Sequence, residues 1–273
     1  MQQKQEIKEP IIIKHDPELN TIPLKDFKSV EMDLFFSIIA RVQQKGDNII
    51  RIKFDELKEL SDYKPTANKR FIDDIESTYK KLLTLTFGQT SKDKRDREYF
   101  IMFTRFRIHG SAEIPYVEIQ VHDLAIPLIN NLDRWVRYTL QEFNSLDSRY
   151  SKTMYRLLKQ WRTVGRAYYK KEVLYELLDV PTSYTKKTEN FNQFVLEPIL
   201  RELSPIFRGL DVKKVRANKR GRPLIAYEFT FKAEPKDKGE TFIPQEKPYK
   251  DKEQQEQRRD RPPITMYNWL EGK

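Results

Sequence analysis

Apolar residues return every fourth position at Leu34, Ile38 and Val42 within EMDLFFSIIARVQQ (31–44), the spacing of one helix face. KGDN (45–48) then turns, IIRIK (49–53) reads as a short strand, and FDELKEL (54–60) restores helical spacing. SDYKP ends that helix, because Pro65 lacks the amide hydrogen a continuing turn would use. The pattern predicts a third helix from about Thr66 to Leu85, then alternating strands over 97–109 and 114–122 around HGSAEIP. Residues 1–29, which mix Pro10, Pro17 and Pro23 with charges, read as an N-terminal arm.

The second half repeats the order. SLDSRYSKTMYRLLKQWRT is helical, Gly165 ends it, RAYYK is a strand and KEVLYELLDV a second helix. FNQFVLEPILRELSPIF (191–207) follows, then two alternating runs joined by a turn within 211–231. Helix, strand, helix, helix, hairpin is the order of a winged helix, a helix-turn-helix with a β-hairpin wing. The two third helices overlay at an offset of 120: Phe71 on Phe191, Ile75 on Val195, Tyr79 on Ile199, Leu83 on Leu203 and Phe87 on Phe207. The expectation is therefore an α+β protein of two tandem winged-helix domains related by internal duplication, 30–145 and 146–232. Pro198 interrupts the second of these helices, and the stripe of core residues crosses it in phase, which predicts a kink.

Charge separates the two halves. Residues 31–145 hold 18 basic and 18 acidic side chains, whereas residues 146–232 hold 19 and 9, so the net +10 lies in the second half. Such a concentration repels itself unless an anion is held there. The chain has no cysteine, which excludes disulfides and thiolate zinc sites and fits a reducing cytoplasm. No apolar run spans a membrane, and MQQKQEIKEP has no secretory core.

Catalytic chemistry is not legible. There is no GxxxxGK(S/T) phosphate loop, and His15, His109 and His122 are far apart in sequence, so no metal or cofactor is expected. His109 and His122 would have to meet across the predicted hairpin to act together. Asp73 and Asp74 read as a solvated pair on a helix. A surface for DNA is legible. Asn190, Gln193, Glu197 and Arg201 line the helix face opposite Phe191, Val195, Ile199 and Leu203, and these are residue types that read base edges. Lys186 and Lys187 precede that helix, and the following hairpin carries Lys213, Lys214, Arg216, Lys219, Arg220 and Arg222 for phosphates or the minor groove. In the neutral half, Lys64, Thr66, Asn68, Lys69 and Arg70 open the equivalent helix, with SKDKRDR (91–97) as its wing tip. Phe100, Met102 and Phe103 lie close together there, more apolar surface than one small domain easily hides, which makes this half a candidate dimerisation surface.

YSKTMYRLLKQWRTVG (150–165), FNQFVLEPILRELSPIF and the hairpin ending RGRPLIAYEFTF occur in that order. Over residues 25–232 the chain resembles the theta-type plasmid replication initiators, an iteron-binding family of two winged-helix domains. The resemblance implies a protein without enzymatic activity. Such a protein binds direct repeats of double-stranded DNA at a plasmid origin, helps melt adjacent DNA, recruits the host initiator and helicase machinery, and represses its own promoter as a homodimer. It implies main readout by helix 189–203 and wing 213–222, secondary contacts from 66–75, and a dimer contact from the first domain. The alternatives are a winged-helix transcription regulator binding an operator and, behind it, a nicking endonuclease. Residues 233–273 fall outside the resemblance; they are polar and Pro-rich, an expected disordered tail. The tail ends in ITMYNWLEGK, where Tyr267, Trp269 and Leu270 suggest a docking peptide for a host replication protein.

Overall fold

The computed structural model describes residues 9–64, 67–90, 95–130, 135–218, 220–236 and 264–266. The first half opens with β1 (Ile12–His15) and a 3-10 turn (Pro17–Thr21), followed by α1 (Ser29–Val42), β2 (Ile50–Lys53), α2 (Phe54–Leu60) and α3 (Asn68–Thr84). Two hairpins come next, β3 (Thr86–Thr90) with β4 (Arg97–Ile101), then β5 (Phe103–His109) with β6 (Tyr116–Val121). Three short elements close it: α4 (Ile126–Asn130), β7 (Val136–Thr139) and α5 (Leu140–Asn144). The second half runs α6 (Arg149–Lys159), β8 (Arg166–Lys170), α7 (Lys171–Leu177) and α8 (Thr182–Thr185). A composite helix follows, made of α9 (Thr188–Phe191), a π turn (Asn192–Leu196) and α10 (Glu197–Leu203), and then the hairpin β9 (Asp211–Arg216) and β10 (Leu224–Thr230). A last strand, β11 (Ile264–Met266), pairs antiparallel with β3.

The duplication extends to topology. In the first half the sheet order is β2-β6-β5 and in the second β8-β10-β9, antiparallel throughout, so the strand between the first two helices pairs with the last strand of the hairpin each time. This identifies β5–β6 as the first wing, with its tip at residues 110–115. The expected wing tip, SKDKRDR, falls in sequence between β3 and β4, the hairpin inserted between α3 and the wing, and its residues 91–94 lie outside the described residues. Both hairpins alternate equally well in sequence; only the pairing of β6 with β2 tells them apart.

Two further expectations change. The stretch read as an arm is integral from β1 onward: β1 pairs with β7, and Ile13, Leu19, Ile22, Leu24 and Phe27 are buried. Pro17 opens the 3-10 turn, where a missing amide hydrogen costs nothing, and Asp16 caps it by accepting from the Glu18 amide at 2.8 Å. Phe100, Met102 and Phe103 are also buried, and Phe100 stacks on Phe87 with centroids 5.4 Å apart. The inserted hairpin and α1 absorb the apolar surplus that points, in sequence, to a dimer face.

Pro198 falls at a change of helix type rather than inside a continuous α-helix. The Glu197 amide bonds to the Asn192 carbonyl in the wider i→i+5 turn, and Pro198 then sits at the start of α10. At the first positions of a helix segment the amide hydrogen that proline lacks is the one least needed.

Helix α6 is the hub. It is buried from Ser151 to Lys159 and packs on α1, β7 and α10 at once. Lys152 donates to Asp33 Oδ1 at 2.6 Å and to the Phe143 carbonyl at 3.0 Å; Lys159 reaches Glu234 at 2.9 Å; and Arg156 lies 4.7 Å over the Phe36 ring. Burial pushes the Asp33 carboxyl up to about 7 and the Lys152 ammonium down, so the water both groups lose outweighs their attraction. Glu202 on α10 accepts from the Asp147 and Ser148 amides, both at 3.1 Å, and so fixes the start of α6.

Beyond α6 the chain turns at Gly165, with φ +72°, where a Cβ would lie 2.5 Å from the Phe231 carbonyl oxygen. Gly165→Ala is expected to destabilise the protein by about 1–3 kcal/mol in denaturant titrations. Replacing Asp33 by Leu or Lys152 by Met alone is expected to cost about 3–5 kcal/mol, whereas the double replacement recovers most of the loss. Thermal or urea unfolding of the four proteins in that cycle checks it.

Candidate nucleic-acid interface

The composite helix is held by its apolar side. Phe191 packs between Tyr175 of α7 and Tyr227 of β10, with centroids 4.6 and 5.2 Å away, and Val195, Ile199 and Leu203 are fully buried. The other side faces solvent. Gln193, Glu197 and Arg201 are exposed and Asn190 is half-buried, so the four candidate base readers share one ridge at steps of three and four. Arg201 stands at the C-terminal end of this ridge and leans 3.4 Å from Glu202, which makes it the most peripheral of the four.

The wing lies against the same helix. Lys214 on β9 donates through Nζ to Asn192 Oδ1 at 2.8 Å, joining strand and helix directly. Sequence reasoning misses Asn192, whose position falls between the core stripe and the ridge. At the wing tip, Gly221 (φ +79°) and Arg222 (φ +39°) are left-handed, and the turn is closed by the Ala217 amide on the Pro223 carbonyl at 2.9 Å. Arg216 donates to the Arg222 carbonyl at 3.2 Å. Lys213, Arg216, Arg220 and Arg222 are exposed, as are Lys186 and Lys187 before the helix. Lys219 lies outside the described residues. Among the described residues, none of these wing and pre-helix cations has a carboxylate in ion-pair range.

The first half presents a neutralised version of this surface. Lys64 pairs with Asp62 at 2.6 Å, Arg70 lies 4.0 Å from Asp74, and Asn68 accepts from Lys58 at 2.7 Å. Lys69 is exposed, and Thr66 lies outside the described residues. Asp74 is not the solvated carboxylate expected, because it also accepts from the Tyr63 hydroxyl at 2.6 Å. The true first wing, β5–β6, has the acidic Glu113 and no cation in its tip.

No catalytic cluster forms from the histidines. His109 stacks on Tyr116 at the wing tip, whereas His122 lies at the opposite end of β6 and accepts from the Leu124 amide at 3.2 Å. His15 is fully buried, and desolvation pushes its imidazole down to about 3, so it is neutral at ordinary pH. Among the described residues no group of three His, Asp or Glu side chains can hold a metal, and no helix is long and apolar enough to cross a membrane. The suggested docking residues Tyr267, Trp269 and Leu270 lie outside the described residues.

Comparison with known proteins agrees with this architecture. Residues 12–159 match the family model "Initiator Replication protein, WH1", and residues 170–231 match "Initiator Rep protein, WH2". The chain is 31% identical over 225 residues to "Probable replication protein rep" of Bifidobacterium longum (strain NCC 2705), covering 82% of this chain and 73% of that protein. Among solved structures it is similar in fold to "Crystal structure of Pi initiator protein in complex with iteron DNA", with a TM-score of 0.60 and 16% identity, covering 84% of this chain and 100% of that one. Two family models in tandem and a relative at this identity place the chain plainly: it belongs to the initiator replication proteins, built from two winged-helix domains.

Proposed function

We propose that the protein initiates plasmid replication by binding direct repeats of duplex DNA at an origin. The ridge of Asn190, Gln193 and Glu197 reads the major groove while the wing holds flanking phosphates. The observation that carries this reading is the Lys214–Asn192 hydrogen bond. It sets the wing against the reading helix, so that cations without carboxylate partners and base-reading side chains meet one duplex. A solved initiator of the same fold is described in complex with iteron DNA, which supports the same substrate.

The second winged helix is the main binding unit. The first, with its cations matched by Asp62 and Asp74, adds weaker phosphate contacts. A homodimer in the state that represses the promoter is what the family resemblance implies, and with Phe100, Met102 and Phe103 buried it would have to use another surface of this half. The protein acts by binding and deforming DNA in the cytoplasm rather than by covalent chemistry. The tail, through Tyr267, Trp269 and Leu270, docks to the host initiator and helicase machinery. Footprinting on the DNA beside its own gene tests the proposal. Protection of an array of direct repeats supports it, and protection of a lone palindrome would assign the protein to operator binding instead.

Gln193→Ala is expected to cost about 1–3 kcal/mol on the specific repeat and to relax preference at one base pair. Arg220→Ala with Arg222→Ala should weaken all duplexes alike and lower the slope of log K against log salt by about 0.9 for each phosphate no longer neutralised. Fluorescence anisotropy across a salt series measures both effects.

A further inference from the structure

One large apolar side chain stands where the polar ridge meets solvent. Phe194 is 44% exposed, four residues after Asn190 and three before Glu197, so it lies one turn from a reader on either side. Its ring is stacked on Tyr184 of α8, centroids 5.1 Å apart and planes at 25°, and Tyr184 is itself packed against the core. The ring is therefore held in place by a neighbour while its outer face stays open. Exposing that face to water is unfavourable, and a polar residue would serve a purely solvated position better.

The surroundings select the occupant. Lys186 and Lys187 precede the helix and the cationic wing flanks it, with no carboxylates paired to these groups among the described residues, so the partner is a polyanion. A duplex offers its major groove one hydrocarbon group, the C5 methyl of thymine. We infer that Phe194, buttressed by Tyr184, is a specificity-determining residue that receives thymine methyl groups in the repeat. Asn190, Gln193 and Glu197 supply polar readout, and Phe194 adds an apolar check that no hydrogen bond can make. It adds to the discrimination of thymine from cytosine, which hydrogen bonds to O4 or N4 also provide, because cytosine presents no methyl there.

The inference rests on the duplex-binding reading above, and the test separates the two. Full-length protein is titrated with a direct-repeat duplex from its own origin and with a series in which each thymine in turn is replaced by uracil, which removes only the methyl. The wild type is expected to lose affinity about fourfold at a small subset of thymines, the value of one buried methyl. Phe194→Ala should bind with reduced affinity and show no uracil penalty at those positions. Phe194→Leu, which keeps an apolar body, should retain part of it. Thermal unfolding of both variants confirms that they fold. A wild type indifferent to uracil at every position overturns the inference, as does a Phe194→Ala protein that keeps the full penalty; either result would turn the exposed ring toward a protein partner. Absence of any specific complex with the all-thymine duplex would overturn the duplex-binding reading itself, and the inference with it.

Discussion

The structure depends on one buried helix that carries cations. α6 is the first helix of the second winged helix by topology, yet its most deeply buried cations find their partners largely in the first half: Asp33 and Phe36 on α1, and Glu142 and the Phe143 carbonyl on α5. Lys159 also reaches Glu234 after β10, and the half-buried Arg149 pairs with Asp179. A lysine or arginine removed from water without such partners costs several kcal/mol. The first half therefore supplies the solvation that allows the second half to keep its leading helix, and the two are bound by electrostatic need as well as by apolar contact. Arg156 is the extreme case. Its guanidinium is fully buried against the Phe36 ring, with no hydrogen-bond partner on any of its three nitrogens among the described residues, and desolvation lowers its hold on the proton to about 10. Even so it stays cationic at neutral pH, stabilised by the face of an aromatic ring.

On this shared frame the two halves have diverged in charge rather than in topology. Each puts a strand from between its first two helices against the last strand of a hairpin, and each presents a third helix beside that sheet. In the first half carboxylates sit next to the cations at the head of α3, and the wing tip is acidic. In the second, the corresponding surface is left cationic. An additional hairpin, β3–β4, covers apolar residues of the first half and offers an outer edge that β11 pairs with.

Much of this is legible in the sequence because periodicity reports burial. Phe71 and Ile75 and the counterparts Phe191, Val195, Ile199 and Leu203 are core positions in the structure. Further along α3 the expected stripe drifts off the core: Tyr79 is half-buried, Leu83 is exposed with Leu82 buried in its place, and Phe87 lies beyond the helix on β3. What escapes depends on pairing between distant segments. No local pattern says that β6 rather than β4 returns to β2, so the basic SKDKRDR reads as the wing tip even though strands around HGSAEIP are legible. For the same reason 97–109 reads as one strand where the structure has β4 and β5. The arm misleads for a related reason: three prolines and several charges look extended locally, and only the pairing of β1 with β7, over a hundred residues away, brings Ile13 into the core. At the candidate interface the exposed ridge is legible from spacing alone. Phe194 and Asn192 are not, because an aromatic residue in an amphipathic helix is ordinarily assigned inward and an asparagine beside the core stripe attracts no attention.

The π turn at Asn192–Leu196 has a consequence for how this surface can change. A π turn amounts to one surplus residue threaded into a helix, and each residue advances an α-helix by about 100°. Asn190 and Gln193 are thus phased against Glu197 and Arg201 by a surplus that Pro198 helps to lock. Loss of a single residue in that stretch would give a smoother helix whose two halves point to different sides of the molecule. The alphabet of contacts at this surface is free to drift by substitution, but its frame is closed to insertion and deletion.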